Sequence, residues 1–365
     1  MMRAQWMRWA SLLALLLPGM FSAADPRQTT AADPWQIDTA CAVVSASPAP
    51  LDGVILTHDP DAGVRALRAG VATTYFIAFE GSNFTGAGAL SPDGRWFAMP
   101  HGTITTAAAF DVRYRVTEIR VHSTDAVPQI RRRIPWDATF QAGEVPSIRW
   151  LDADTLLYPE GGLDDPLTGV SVDPLADPLE KIASPLAAYP ALAPDLQAAI
   201  GRYQDTDALY DTASGWVRAR LTDLSGYMWS PDSARFAAVQ RLESESVALV
   251  VVEAASLETR VLLNVPPDHV VRNLRWSPDG TRLAFSLFDP QENANRLYIG
   301  ALDGSTLTDP CIGLHPGVAA LAWSPDGARL ALVTADDRLE LYEPGTGERY
   351  ALAGFSGGLM GWGAG

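Results

Sequence analysis

The pentapeptide WSPDG occurs at residues 276–280 and again at residues 323–327. A near copy, WSPDS, lies at residues 229–233, and LSPDG lies at residues 90–94. A catalytic site needs its residues once, whereas a structural repeat needs the same turn in every copy. The recurrence therefore predicts that the pentapeptide builds architecture.

The repeat has a fixed period in the second half of the chain. Its Ser-Pro-Asp triplets begin at Ser230, Ser277 and Ser324, with an equal spacing of 47 residues. Ser91 lies about three such periods before Ser230, and two degenerate copies fall between them, IRWLDADTLLY (148–158) and ALAPDLQAAI (191–200). Six repeat turns can be read, near residues 91, 151, 193, 230, 277 and 324.

Strand patterns follow each turn. The first run after a turn alternates apolar and polar residues, as in RLAFSLF (282–288). A second run such as RLYIGALDG (296–304) follows, and then a third run such as TRVLLNV (259–265). Short runs with a period of two, broken by Gly, Pro and Asp, are typical of antiparallel strands. Four such strands in a unit of about 40–50 residues describe one blade of a β-propeller, so the predicted class is all-β.

The residue types of the pentapeptide suit a tight turn between two strands. Proline fixes its backbone angle near the value required at the first central position of the turn. The aspartate carboxylate can accept hydrogen bonds from nearby backbone N–H groups, and glycine supplies a positive φ. The tryptophan before the turn is large and flat, which favours packing between neighbouring blades.

The repeat resembles the TolB-like propeller repeat, a relative of the WD-repeat propellers. The strongest matches are WSPDGTRLAF (276–285) and WSPDGARLAL (323–332), and the resemblance extends over about residues 86–363. It implies a β-propeller fold and a binding role, because such propellers serve many functions. It also implies, as an alternative, a subunit of a TolB-type envelope complex, although the separate N-terminal domain that accompanies the TolB propeller is not recognisable in this sequence.

The number of blades follows from the two ends of the repeat region. The segment 359–363 looks like one more inner strand, with no strands after it. CAVVSA (41–46), GVILTHD (53–59) and VRALRAG (64–70) look like three strands that have no inner strand before them. We therefore predict seven blades, the last one shared between the C-terminal strand and the N-terminal strands. The alternative is six blades with residues 36–86 as an N-terminal extension.

The first residues have the pattern of a secretory signal peptide. A basic start, an apolar run and the small residues Ser22-Ala23-Ala24 predict export with cleavage near Ala24. We expect residues 1–24 to be the signal peptide and residues 25–365 to form a single propeller domain. No later stretch is apolar for long enough to predict a membrane span.

Two cysteines, Cys41 and Cys311, are present. In an exported protein an even number permits a disulfide, which would close a loop of almost the whole chain. The alternative is two buried free thiols. Two cysteines are too few for the usual zinc site, and no metal ligand set is predicted.

Charge limits the class of partner. The net charge is −16, and Lys181 is the only lysine. This balance repels a phosphate backbone, so we expect no nucleic-acid partner.

The loops between the second and third strands of the blades are rich in acidic residues. They contain Glu160, Asp164, Asp165, Asp205, Asp207, Glu243, Glu245, Asp289, Glu292, Asp336 and Asp337. If the assignment of strands is right, these residues lie on one face and form a negative funnel for a basic partner or a divalent cation such as calcium. The alternative is that an acidic exported protein keeps its loops charged for solubility.

The combined patterns favour a non-enzymatic, exported, monomeric scaffold that binds a protein or small ligand on one propeller face. We identify no catalytic residue and require no cofactor, with calcium at the acidic loops as the alternative. A second alternative is a propeller hydrolase or lyase that acts on sugars or small esters with carboxylates in the central channel.

Overall fold

The structure, a computed structural model, describes residues 29–30, 35–59, 63–68, 71–75, 88–108, 111–125, 129–141, 148–159, 169–183, 191–242, 246–303, 306–316, 320–354 and 358–364. The predicted signal peptide lies outside these residues. The described chain is all-β and forms seven separate sheets of at least four strands each. None of its described segments is a helix long and apolar enough to cross a membrane.

Six sheets are formed by consecutive strands, and we number them blades 2–7, with strands in order from the inner edge outward. Blade 2 contains Ala89–Leu90, Trp96–Ala108, Asp111–Ser123 and Ile130–Gln141, and blade 3 contains Arg149–Trp150, Leu156–Pro159, Gly169–Val172 and Lys181–Ala183. Blade 4 contains Ala191–Leu192, Ala198–Tyr203, Thr206–Asp211 and Val217–Leu221, and blade 5 contains Leu224–Trp229, Arg235–Arg241, Val247–Glu253 and Thr259–Val265. Blade 6 contains Val270–Trp276, Arg282–Asp289, Ala294–Ala301 and Thr306–Asp309, with Gly313–Leu314 paired to its third strand. Blade 7 contains Leu321–Trp323, Leu330–Val333, Arg338–Glu343 and Glu348–Gly354.

Blade 1 joins the two ends of the repeat region. Its strands, in spatial order, are Gly358–Gly363, Val54–Asp59, Gly63–Arg68 and Val71–Tyr75. Trp362 of the C-terminal strand lies opposite Ile55, so the first strand of this blade is the last strand of the chain. The prediction of seven blades with a shared closing blade is confirmed.

One part of the predicted closing blade is wrong. The sequence pattern places the segment 41–46 in it, but Val43–Val44 pairs in parallel with Glu348 and Arg349 on the outer edge of blade 7. The outer strand of blade 1 is Val71–Tyr75, which pairs antiparallel with Gly63–Arg68. Two strands joined by a short connection pair readily, and this local hairpin supplies the fourth strand.

The N-terminal segment before blade 1 forms what we call the belt, residues 29–30 and 35–44. Its three short strands, Thr29–Thr30, Gln36–Thr39 and Val43–Val44, each add in parallel to the outermost strand of a different blade. These are blades 5, 6 and 7 in turn. Because the outer edge of a blade presents unpaired N–H and C=O groups, the belt satisfies part of three exposed edges and ties three blades together.

A disulfide fixes the belt to the connection that follows blade 6. Cys41 and Cys311 are bonded across a sequence separation of 270 residues. On either side of Cys41, the backbone N–H groups of Ala40 and Ala42 donate to the carbonyls of Asp309 and Pro310, each at 2.9 Å. The sequence permitted either a disulfide or two free thiols, and the structure has the disulfide.

Trp35 anchors the other end of the belt between blades 5 and 6. Its side chain is only 5% exposed, its backbone N–H donates to the carbonyl of Leu262 at 2.6 Å, and its indole N–H donates to that of Ala301 at 3.2 Å. The indole ring stacks on Phe285 with centroids 6.5 Å apart. It occupies space that Gly300 leaves open, since a Cβ at that glycine would lie 2.5 Å from the ring.

The WSPDG turn is held together by its serine, whose role the residue pattern does not reveal. In blade 6, the buried Ser277 hydroxyl donates to Asp279 Oδ1 and accepts the backbone N–H of Arg282 at 2.9 Å. The same Asp279 oxygen accepts the N–H of Thr281 at 3.0 Å, and Gly280 has a φ of 68°. The Ser–Asp hydrogen bond recurs in blades 2, 5 and 7. Each turn therefore satisfies its own polar groups.

The tryptophan before the turn links blades 3, 5, 6 and 7 each to the preceding blade. The indole N–H of Trp276 donates to the carbonyl of Met228 at 2.9 Å, and that of Trp323 donates to the carbonyl of Arg275 at 3.2 Å. Equivalent bonds run from Trp150 to Ala89 and from Trp229 to Ala191. The predicted packing of these tryptophans between blades is confirmed, and it includes a directed hydrogen bond.

Replacing Ser277 with alanine is expected to lower the free energy of unfolding by about 1–3 kcal/mol, because the partly buried N–H of Arg282 loses its hydroxyl acceptor and Asp279 loses its donor. Urea unfolding measures the change. Ser256→Ala is the matched control: that serine is exposed and accepts the N–H of Glu258 in an ordinary turn, so its effect should stay within about 0.5 kcal/mol. Equal effects of the two substitutions would show that the repeated serine has no special structural role.

His122, in the third strand of blade 2, makes stability depend on pH. Burial, with repulsion from Arg120 and Arg133, lowers its pKa to about 4. The unfolded chain, with a histidine pKa near 6.5, therefore binds a proton between pH 6.5 and 4 that the folded chain does not. We expect the free energy of unfolding to be about 2 kcal/mol smaller at pH 5 than at pH 8 from this residue alone. Urea unfolding across this range should show the decrease, and His122→Gln should remove that part of it.

Candidate functional site

The antiparallel order of the strands divides the loops between two faces. In blades 2–7, the turn between the first and second strands and the turn between the third and fourth strands lie at the same end. We call this end the turn face; it carries the WSPDG turns. The loops between second and third strands, and the connections between blades, lie at the opposite end, which we call the loop face.

The acidic residues predicted to share a face do so where the structure describes them. Those on the loop face are Asp205, Asp207, Asp289, Glu292, Asp336 and Asp337. The remaining predicted residues, Glu160, Asp164, Asp165, Glu243 and Glu245, lie outside the described residues. The face assignment follows from strand order, which the sequence pattern provided.

Four of the six described carboxylates have local partners. Asp289 accepts the backbone N–H of Gln291 at 2.8 Å and lies 3.8 Å from His269 Nε2. In blade 7, the carboxylate of Asp337 lies 3.4 Å from His315 Nε2. His269 and His315 are in the connections before blades 6 and 7, so the loop face carries two similar His–Asp pairs.

Asp336 is oriented by its neighbours in the same loop. The Thr334 hydroxyl donates to its Oδ1 at 2.7 Å, and Arg338 Nε lies 3.0 Å from its other oxygen. The Thr334 hydrogen bond, followed in importance by backbone hydrogen bonding and the positive charge of Arg338, holds the pKa of Asp336 below its usual value. This carboxylate is therefore charged at neutral pH and remains exposed to solvent.

Blades 4 and 5 meet at Asp207 on the same face. Arg202 Nη1 lies 3.5 Å from Asp207 Oδ1. Burial, and secondarily the charge of Asp207, raises the pKa of the Tyr227 hydroxyl, which donates to the carbonyl of Leu224 at 2.6 Å. Asp207 of blade 4 therefore lies beside Tyr227 of blade 5, at the contact between the two blades. Asp205, in the adjoining turn, is exposed.

The loop face thus carries charge without a single focus among its described residues. Four of the six described carboxylates have a hydrogen-bond donor or a cation beside them, namely Asp207, Asp289, Asp336 and Asp337. Within the described part of the chain, no group of three or more His, Cys, Asp or Glu side chains lies close enough together to hold a metal ion. Dispersed surface carboxylates favour recognition of a basic surface over chemistry on a bound molecule.

The central channel is lined by the innermost strands. Their described segments, residues 88–90, 148–150, 191–192, 224–229, 270–276, 320–323 and 358–363, contain no Asp or Glu. The hydrolase alternative requires carboxylates in the channel. These segments supply none. The charged residues there are Arg149, Arg272 and Arg275, which the sequence pattern does not single out.

A groove on the turn face lies between blades 5 and 6. Its volume is about 470 Å³, and its charged lining residues are Arg235, Glu253, Glu258, Arg260 and Asp303. Both signs of charge are present, and Arg235 is already within 3.4 Å of Asp232. With three acidic and two basic side chains, the groove carries mixed charge with a small excess of negative charge.

No protein-family model matches the chain, and no curated protein sequence matches it either. Among solved structures, TolB from Acinetobacter baumannii is 15% identical over 71% of this chain and 69% of its own, with a TM-score of 0.38. The fold confirms the TolB-like, WD-repeat-like propeller that the repeat predicts.

Other similar structures come from different functional classes. A candidate 6-phosphogluconolactonase from Bacteroides uniformis is 14% identical over 82% of this chain and 95% of its own, with a TM-score of 0.47. A chain of a mitotic checkpoint complex is 14% identical over 83% of this chain and 99% of its own, with a TM-score of 0.49. Similarity at this level carries no inference about function, because propellers host many unrelated functions.

Proposed function

We propose that the protein is an exported scaffold that binds a basic partner protein through its loop face. The observation that carries the proposal is the placement of six described acidic residues at the same end of three blades, four of them exposed: Asp205, Glu292, Asp336 and Asp337. Charge of one sign on a rigid face attracts a partner of the opposite sign and orients it before contact.

Rigidity supports the same proposal. The belt pairs with three blades, the disulfide fixes it, and the tryptophan hydrogen bonds connect successive blades. A surface that is ordered before binding loses less entropy on association. Export is part of the proposal and is supported by the N-terminal sequence pattern and by the disulfide, since such bonds persist in oxidising compartments. A TolB-type envelope complex would be one setting for such a scaffold, and calcium at these carboxylates stays a prediction.

Binding to a basic protein tests the proposal. The purified protein would be immobilised and exposed to exported proteins of the same source, and a captured basic protein would then be titrated at several salt concentrations. We expect affinity to fall as salt rises, because screening weakens attraction between exposed charges. Binding that is insensitive to salt would contradict the proposal.

A pair of matched variants locates the contact. The loop-face variant carries Asp205→Asn, Glu292→Gln and Asp337→Asn. The control carries Asp154→Asn, Glu258→Gln and Asp303→Asn, which removes the same number of charges from exposed positions on the turn face. We expect only the loop-face variant to lose affinity, by about tenfold, since each charge contributes a few tenths to one kcal/mol. Equal losses would indicate an effect of net charge alone.

A further inference from the structure

Three repeats place an arginine five residues after the serine of the turn: Arg235, Arg282 and Arg329. In two of them the arginine reaches the next blade. Arg282 of blade 6 donates through Nη2 to the carbonyl of Gly327, in the turn of blade 7. Nη1 of Arg329 in blade 7 lies 3.5 Å from Asp52, just before a strand of blade 1. This arginine therefore closes the contact between blades on the turn face.

Arg235 of blade 5 does not make the equivalent contact with blade 6. A Cβ added at Gly327 would lie 3.7 Å from Nη2 of Arg282. At Gly280, the equivalent glycine of blade 6, an added Cβ would have no atom of Arg235 within 4 Å. Instead, Nη2 of Arg235 lies 3.4 Å from Asp232 in its own turn. The groove of about 470 Å³, which Arg235 and Gly280 both line, opens at the place where the contact is missing.

Positive and negative side chains stand next to each other on the blade 5 wall of this groove. Arg235 is the cross-strand partner of Glu253, and Val251 is the partner of Arg260 on the outermost strand. Such partners share one face of the sheet, with Cβ atoms about 4.5–5.5 Å apart. All four residues line the groove. The described ion pair of Arg235 is with Asp232 and not with its neighbour Glu253, which is exposed.

This wall suits a ligand that carries both charges. A guanidinium has five N–H donors in a planar fork that matches a carboxylate, and the contact of Arg235 with Asp232 engages only one of its nitrogens. The exposed carboxylate of Glu253 can pair with an ammonium group. An α-amino acid carries a carboxylate and an ammonium group on the same carbon atom, and this separation fits two side chains that are cross-strand neighbours.

The remaining lining favours an apolar side chain on the ligand. Val251 of blade 5 and Leu302 of blade 6 contribute apolar surface to opposite walls of the groove. Its volume lies in the range of sites that bind small molecules, which combine apolar lining with a few polar groups that fix the orientation of the ligand.

We propose that the groove between blades 5 and 6 binds a free α-amino acid with an apolar side chain, with its carboxylate on Arg235 and its ammonium group on Glu253. The groove is on the turn face, at the opposite end of the propeller from the loop-face carboxylates. Partner binding at the loop face can therefore fail without affecting this site, and the reverse also holds.

Titration calorimetry on the purified protein tests the proposal with three probes of similar shape. Leucine carries both charged groups, isocaproate has the carboxylate without the ammonium group, and isoamylamine has the ammonium group without the carboxylate. We expect leucine to bind saturably with one site per chain. Each analogue should bind about tenfold or more weakly, because it loses the contact with one of the two charged side chains.

Variants locate the site. Arg235→Gln and Glu253→Gln should each weaken leucine binding about tenfold or more, and the double variant should not bind. The matched control is Arg218→Gln, an exposed arginine on the outermost strand of blade 4, and it should bind leucine as the wild type does. Thermal midpoints give a second readout: leucine should raise the midpoint of the wild type and leave that of the double variant unchanged.

Three results would overturn the proposal. Leucine does not bind saturably to the wild type, either analogue binds as tightly as leucine, or the double variant binds leucine as tightly as the wild type. The comparison of the three probes uses the wild type alone, so it decides the matter even if a substitution disturbs folding.

Discussion

Replacing Trp35 with alanine is expected to lower the free energy of unfolding by about 3–5 kcal/mol, the usual range for removal of a buried aromatic side chain. The ring is almost fully buried between blades 5 and 6 and stacks on Phe285. Its loss leaves a cavity beside Gly300 and removes the hydrogen bond to Ala301. Urea unfolding followed by tryptophan fluorescence and by circular dichroism measures the change.

Gly300→Ala tests the same contact from the opposite side. The added methyl group would overlap the Trp35 ring, so the ring must move and the belt must shift with it. Gly345→Ala is the matched control, because no atom lies within 4 Å of a Cβ at that position. We expect Gly300→Ala to destabilise by about 1–3 kcal/mol and the control to have little effect. If Trp35→Ala and Gly300→Ala both leave stability unchanged, the belt does not dock as described.

The double substitution Cys41→Ser and Cys311→Ser is expected to lower the free energy of unfolding by about 2–5 kcal/mol. The bond closes a loop of 270 residues, so its main effect is to restrict the unfolded chain. The measurement is urea unfolding of the wild type with and without reductant, beside the double variant.

Reductant provides the control for the disulfide. It should destabilise the wild type and leave the double variant unchanged, because the variant has no bond to reduce. A wild type that is insensitive to reductant under conditions that expose both thiols to alkylation would contradict this prediction.

The repeat shows why so much of the fold was predictable. A WSPDG turn uses proline, aspartate and glycine within five residues, and its geometry depends on contacts inside or directly beside that span. The strands after the turn can be predicted from the local alternation of apolar and polar residues. The closing blade could be inferred as well, because the lone strand at one end of the repeat region and the strands that lack an inner strand at the other end can each complete the other's sheet.

The acidic loop face followed from the same reasoning, since strand order alone decides which loops share an end. The partners of these acidic side chains could not be predicted from strand order. Asp289 with His269, and Asp337 with His315, join residues from a loop and from the connection before the same blade. Such pairs depend on how far each loop extends, which neither the period nor the strand pattern specifies.

The propeller, its seven blades, the closing of the ring and the face of the acidic loops could all be read from the amino-acid sequence, because each depends on a repeated local pattern. The path of the belt, the burial of Trp35 and the contact of its ring with Gly300 became visible only in the folded chain. The belt strands have two to four residues and pair in parallel with residues more than two hundred positions away. Their positions arise from contacts between distant parts of the chain, and no local pattern encodes such contacts.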